Sequence, residues 1–246
     1  MIKRARSDDE SDTYLQVTSG ADLRVLADEA DARLAKADPA EIVSWAHRTF
    51  GRGLVVASSM ADTHLVHLAQ QVAPGIDVLF LDTGYHFAET RGTRDAVAQA
   101  YRISLISLTP RRTVAEQDAE WGPRLHDRDP DRCCALRKVE PLERGLHPYT
   151  AWITGMRREE SPSRASVRVV DYDARRGKVK ISPLAAWSQD DVDAYVAEHG
   201  VLVNPLLLDG YTSVGCEPCT RRPLPGQDLR SGRWAGRPKT ECGLHS

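Results

Sequence analysis

The residues of this chain with the most chemical potential are its five cysteines: the adjacent pair Cys133-Cys134, the pair in Cys216-Glu217-Pro218-Cys219, and Cys242. Two close pairs and one remainder suggest four ligands to a metal centre and one reactive thiol. An odd count without an export signal makes a disulfide framework a poor explanation. A Cys-x-x-Cys turn aims two sulfurs at one centre. Adjacent cysteines suit a single ion less well, because on a helix their Cβ atoms point about 100° apart. A cuboidal iron–sulfur cluster takes such a pair more easily, since its thiolates attach to separate irons. On spacing alone, a structural zinc site and two buried thiols beside a redox Cys-x-x-Cys stay open. The Cys-x2-Cys-x2-Cys run of a ferredoxin is absent, so an electron carrier is not indicated. Cys242 lies between Lys239 and His245, and cations near a thiol favour the nucleophilic thiolate. An inert surface cysteine is the plain alternative.

Cations gather near the same positions. Arg137-Lys138 follows the first cysteine pair, and Arg157-Arg158 follows a predicted strand. Arg164 and Arg168 lie in the next loop, and Arg221, Arg222, Arg230, Arg233 and Arg237 stud the C-terminal segment. A guanidinium fork matches phosphate and sulfate oxygens. We therefore expect an anionic ligand, against the ordinary reading of a solvated surface. No Gly-x-x-x-x-Gly-Lys-Ser/Thr loop and no Gly-x-Gly-x-x-Gly is present, which disfavours P-loop ATPases and dinucleotide enzymes. Ser58-Ser59-Met60-Ala61-Asp62-Thr63 leads into a helix, where N–H groups and hydroxyls could still hold an anion.

These residues need a scaffold. Apolar runs at 53–57, 77–81, 103–108 and 149–154 alternate with helical patterns at 64–72 and 87–101. Val179–Ile181 is a further candidate strand, Gln189–Glu198 a helix, and 21–49 reads as helices broken at Pro39. The alternation implies an α/β fold with a mostly parallel sheet flanked by helices. Ligands of such sheets bind at the carboxyl ends of the strands. Here those ends carry Ser58-Ser59, Asp82-Thr83-Gly84 and Gly155-Met156-Arg157-Arg158. Residues 1–20 are polar without period and are expected to be disordered. Residues 21–220 form one expected domain, and 221–246, rich in Arg, Gly and Pro, an expected mobile tail. At 246 residues, 41% apolar and 28% charged, the chain is ordinary for a globular protein. A net charge of −2 argues against a general nucleic-acid binder. No apolar run is long enough to cross a bilayer, and the first residues lack a signal-peptide core. We expect a cytoplasmic protein.

Five motifs, in order, resemble a known family. They are Leu81-Asp82-Thr83-Gly84, Cys133-Cys134-x-x-Arg137-Lys138, Thr154-Gly155-Met156-Arg157-Arg158-x-x-Ser161, Cys216-Glu217-Pro218-Cys219 and Lys239-Thr240-Glu241-Cys242-Gly243-Leu244-His245. Together they are similar to those of the thioredoxin-dependent assimilatory adenylyl-sulfate (APS) reductases of the APS/PAPS reductase family, from about Trp45 onward. The resemblance implies an adenine-nucleotide alpha-hydrolase-like fold related to the PP-loop proteins. It implies a [4Fe-4S] cluster on Cys133, Cys134, Cys216 and Cys219, and Cys242 as nucleophile. Ser58, Ser59, Leu81, Asp82, Thr83, Gly84, Lys138, Gly155, Arg157, Arg230, Arg233 and His245 correspond to the sulfonucleotide-binding positions.

The implied reaction reduces APS to sulfite and AMP with thioredoxin, through an S-sulfocysteine, in sulfate assimilation toward cysteine. A homo-oligomer is compatible with this reading. One departure stands out: Met60 occupies a loop where the family and its relatives carry glycine, which puts close approach to phosphate in doubt. The alternatives are PAPS or dual APS/PAPS reduction, a PP-loop tRNA thiolase, and a non-enzymatic metal-binding module. Enzymes restricted to PAPS generally lack the cluster cysteines, which favours APS.

Overall fold

The computed structural model describes residues 20–245. The expectation for residues 1–20 therefore lies outside the described residues, apart from Gly20, which opens the first helix. The elements run α1 (Gly20–Leu34), α2 (Pro39–Phe50), β1 (Leu54–Ser58), α3 (His64–Val72), β2 (Asp77–Leu81), α4 (Ala88–Ala100) and β3 (Ser104–Leu108). Four short helices follow: α5 (Val114–Trp121), α6 (Leu125–Arg128), α7 (Pro130–Cys134) and α8 (Glu140–Leu146). The chain then forms β4 (Ala151–Thr154), β5 (Val170–Asp173), β6 (Lys178–Ile181), α9 (Gln189–His199) and α10 (Pro205–Leu208).

The six strands lie in the order β3-β2-β1-β4-β6-β5. All neighbours are parallel except β5, which pairs antiparallel with β6 at the edge. The α/β, mostly parallel reading of the sequence is what the chain adopts. Sequence periodicity missed β5, because its Val-Asp-Tyr-Asp segment is too polar to read as a buried strand. The chain builds outward from β1 through β2 to β3, then turns to the other side with β4 and β6. The order therefore switches between β1 and β4, and a crevice opens there at the strand ends.

Both sheet faces are covered, as a parallel sheet requires. Successive residues of one strand go to opposite cores. Val56, Phe80 and Ile153 pack with the face that α1, α2 and α3 cover. Val55, Leu79 and Trp152 pack with Leu142 and Leu146 of α8. A Cβ on Gly145 would stand 2.2 Å from the Leu108 side chain, so a larger residue here would have to push that side chain aside.

The loop after β1 resolves the departure at Met60. Met60 has φ of 56° and is fully buried, so it takes the left-handed conformation that glycine normally supplies. Ser58 Oγ accepts from the Met60 N–H at 3.2 Å, and the Met60 carbonyl accepts from Asn204 Nδ2 at 3.0 Å. Asn204 is fully buried, also donates to Thr90 Oγ1 at 3.1 Å, and caps α10 through Leu206 N–H. Asn204→Ala leaves a buried carbonyl and an orphan N–H together. It should destabilise the fold by about 2–3 kcal/mol and loosen this loop. Urea unfolding checks it, and an unchanged midpoint contradicts it.

Candidate active site

A cavity of about 530 Å³ opens at the β1/β4 switch point. Ser58 and Ser59 at the end of β1, Leu81 and Thr83 at the end of β2, and Gly155 and Arg157 after β4 line it. Lys138, Arg230, Arg233, Cys242 and His245 line it from the cluster helices and the tail. The site residues expected from sequence therefore converge, with two exceptions. Asp82 and Gly84 shape the β2 loop without lining the cavity. The Asp82 carboxylate accepts from Gly84 N–H at 3.1 Å and pairs with Arg94 at 3.6 Å. Gly84 has φ of 74°, and a Cβ there would stand 2.9 Å from Arg137.

The cavity wall carries several unsatisfied polar nitrogens. Arg157 Nη1, Arg230 Nε, Arg233 Nε and His245 Nδ1 are buried without a hydrogen-bond partner. Burial, then Arg164 and Arg233, push Arg230 down to about 10 despite the nearby Glu241. The guanidinium keeps its charge at neutral pH, and an anion entering this cavity would offset both the burial and the neighbouring cations.

The four paired cysteines line a second, smaller cavity with Tyr85, His126, Arg137 and Lys138. Cys133 and Cys134 end α7. The next turn, Ala135–Val139, is π-helical, and it ends where Pro141 lacks an N–H and crowds the carbonyl of Arg137. This wide turn buries both Arg137 and Lys138. Arg137 bonds the Thr83 carbonyl through Nε and Gln117 Oε1 at 3.1 Å. The opposite pair hangs on the segment after β2: Cys216 bridges to His86, and Glu217 N–H donates to the Tyr85 carbonyl at 2.8 Å. Thr83 Oγ1 meets Cys216 Sγ at 3.3 Å.

Burial, with the neighbouring thiols, pushes Cys133 up to about 12, and burial raises Cys134 to about 11. Without an electrophilic centre both stay protonated, and neither competes as a nucleophile. Among the described residues no three His, Cys, Asp or Glu side chains gather as ligands of one metal ion. Four thiols lining one cavity are a donor set that a cuboidal cluster can take, one thiolate per iron.

Lys138 joins the two cavities. Burial opposes its charge, but Cys216, Cys242 and Cys134 outweigh burial and hold its pKa above the usual lysine value. Of the two groups expected to charge the surroundings of Cys242, Lys239 pairs with Asp131 while its Nζ lies 5.5 Å over the Trp234 ring, against which Cys242 packs; only the expectation for His245 is corrected. His245 is half-buried, stacks on Trp152 at 5.7 Å, and is held well below 6.5 by burial of its ring and then by Lys180, Arg164, Arg176 and Arg230. It sits in the site as a neutral ring.

The segment after Cys219 lies over the cavity. Trp234 N–H donates to the Cys219 carbonyl at 3.0 Å, and Arg221 N–H to the Gly232 carbonyl at 2.8 Å. Arg237 reaches Asp127 and the His126 carbonyl. Cys242 packs with Cys134 and Trp234 and is 9% exposed. Sequence reasoning missed Trp152, Asn204 and the Arg164–Glu241 pair. Glu241 sits beside Cys242 in a motif already singled out, and that adjacency was the available signal.

The neutral state of His245 has a pH consequence. When the tail lifts, the imidazole regains its ordinary value near 6.5. The open form then takes up a proton that the closed form refuses. Closure is therefore at full strength above that pH and weakens as pH falls below it. Hydrogen exchange over residues 235–245, corrected for intrinsic rates, should accelerate from pH 8 to about 5.5. Equal protection at both ends of the range contradicts this.

Residues 53–222 match the family model described as the phosphoadenosine phosphosulfate reductase domain. The adenosine 5'-phosphosulfate reductase of Streptomyces coelicolor is 64% identical over 224 residues, 91% of this chain and 95% of that protein. The enzyme of the same name from Mycolicibacterium smegmatis is 54% identical over 233 residues, 95% of this chain and 99% of that protein. Among solved structures, the phosphoadenylyl-sulfate reductase of Candida auris superposes with a TM-score of 0.67 at 29% identity, covering 78% of this chain and 94% of that one. The FMN adenylyltransferase of Candida glabrata shares the fold alone, with a TM-score of 0.53 at 15% identity over 89% of this chain and 69% of that one. With the family's domain over most of its length and relatives this similar end to end, the chain belongs to the phosphoadenosine phosphosulfate reductase family.

Proposed function

We propose that the protein reduces adenosine 5'-phosphosulfate to sulfite and AMP in sulfate assimilation, with Cys242 as nucleophile and a thioredoxin-like dithiol as reductant. The observation that carries this is a cysteine set among unpartnered buried guanidinium nitrogens over a switch-point crevice. The names of the relatives and the presence of four further cysteines favour the nucleotide without a 3′-phosphate.

In this reading, Ser58, Ser59, Leu81 and Gly155 hold the nucleoside at the strand ends. Arg157, Arg230, Arg233 and Lys138 face its phosphate and sulfate oxygens. Thiolate approach to a doubly anionic group is repulsive unless cations surround it. Cys242 Sγ attacks the sulfate sulfur; an S–S bond forms, the S–O bond to phosphate breaks, and AMP leaves with that electron pair. A dithiol partner then attacks Cys242 Sγ as thiolate, and sulfite departs with the electrons of the broken S–S bond. The partner's second thiol resolves the mixed disulfide and returns Cys242 as thiolate. Two electrons pass from dithiol to sulfate sulfur. The buried Cys242 of the closed tail protects the intermediate from water, and the second step needs the tail to open.

Cys133, Cys134, Cys216 and Cys219 would hold a [4Fe-4S] cluster. When bound, it fixes the helix turn that carries Lys138 and contributes charge beside the sulfate site. Purified protein should show the broad visible absorption of such a cluster. It should also release sulfite faster from APS than from its 3′-phosphorylated form under thioredoxin recycling. A colourless zinc protein overturns the cofactor assignment, and a preference for the 3′-phosphorylated nucleotide overturns the substrate.

A further inference from the structure

Resting on that reading, we propose that Glu241 is a positioning residue. Clamped by Arg164, it seats Cys242 for attack on the bound nucleotide. A cysteine side chain is short and bonds weakly, so its aim is set by the backbone on either side. On the C-terminal side, His245 stacks on Trp152. On the N-terminal side, the fixing element is the residue directly before the thiol.

Arg164 Nε meets Glu241 Oε1 at 2.7 Å and Arg164 Nη2 meets Oε2 at 2.9 Å, a bidentate fork. The third nitrogen of the fork, Nη1, donates to Glu160 Oε2 at 2.6 Å. That same oxygen accepts the Arg157 backbone N–H at 2.9 Å. The Arg164 side chain is 8% exposed. A chain of bonds thus runs from the loop after β4, which carries Arg157, through Glu160 and Arg164 to the residue before the nucleophile.

Arg164 differs from its cationic neighbours in what it has free. Arg157, Arg230 and Arg233 each keep a buried nitrogen without a partner, whereas no Arg164 nitrogen is left so. Two carboxylates already engage Arg164, so its role is to hold Glu241. Arg230 belongs to both systems. Its Nη2 meets Glu241 Oε2 at 3.1 Å and the Thr240 carbonyl at 3.3 Å, while its Nε is unpartnered. The tail's other ion pairs, Arg237–Asp127 and Lys239–Asp131, grip farther from the thiol and on the cluster-bearing side. They close the tail; the Arg164–Glu241 fork sets its register.

A positioning role and a substrate-binding role predict different kinetics. Misplacement of a reacting atom by about 1 Å costs on the order of 10²-fold in rate. Glu241→Gln keeps the side-chain shape and removes the charge that holds the fork. Single-turnover formation of the S-sulfo adduct on Cys242, at saturating APS, should slow about 10²-fold. APS affinity, measured in a Cys242→Ser background, should be unchanged or tighter, because Arg230 is freed. Discharge of pre-formed adduct by thioredoxin should not slow. Arg164→Ala should slow adduct formation similarly, and the double variant should be no worse than either single one.

Wild-type adduct formation in Glu241→Gln overturns the proposal, as does a rate loss matched by lost APS affinity. Additive losses in the double variant also overturn it. If wild-type protein itself forms no adduct, the reductase reading has failed instead. Circular dichroism and the visible spectrum of each variant report any loss of fold or cluster separately.

Discussion

Cys242→Ser is expected to lower the rate of sulfite formation by at least about 10⁴-fold, the scale seen when a nucleophile is removed from an otherwise intact site. A serine hydroxyl is almost entirely protonated at neutral pH and cannot form the S–S bond from which sulfite later departs. APS binding should survive, because Arg157, Arg230, Arg233 and Lys138 supply the anion contacts and serine fits the space. Full-length variant assayed with excess thioredoxin and its reductase checks this. Retention of even one-tenth of the wild-type rate contradicts the assignment of the nucleophile.

Lys138→Ala is the second large expected effect. Lys138 is buried where the two cavities meet, and the thiolate forms of Cys216, Cys242 and Cys134 raise its pKa against the cost of burial. Removing a pre-organised charge aimed at a developing transition-state charge costs about 10²–10³-fold in kcat. Lys138→Arg should recover only part of this, because a planar fork does not fit the space of a compact ammonium. Iron content should be retained, since Lys138 is no ligand. Full turnover with alanine contradicts the role. Loss of iron in parallel with activity reassigns Lys138 to holding the cluster.

The sheet was legible because its strands are short apolar runs bounded by polar turns. Asp77–Leu81 matches its strand at both ends, and 103–108 is off by one residue. β5 was not legible: an edge strand buries one face and needs little apolar sequence. Helices α5 to α8 were not read from sequence, because each spans at most about two turns and carries little apolar repetition. The π-helical turn that buries Lys138 arises from Pro141 acting on a carbonyl one turn back, a relation that composition does not display.

The candidate site divides in the same way. Residues that sit at strand ends or carry thiols were found from sequence. Met60 was read as an obstacle because a loop without glycine approaches phosphate less closely; its positive φ, and the Ser58 and Asn204 bonds that hold it, are visible only in the structure. The neutral state of His245 was misread from its neighbours along the chain. What sets its charge is burial of the ring, and then the group of cations that the fold packs around it. Arg164 and Glu241 lie far apart in sequence, and their pairing is a property of the closed tail alone.

The central claim is a covalent one, and intact-protein mass spectrometry tests it most directly. Reduced full-length protein, freed of small thiols and mixed with APS alone, should gain the mass of one sulfo group, with one AMP released per chain. Peptide mapping should place that group on Cys242, and thioredoxin should remove it as sulfite. Unmodified protein alongside AMP release, or a sulfo group mapped to any of the other four cysteines, would contradict the account.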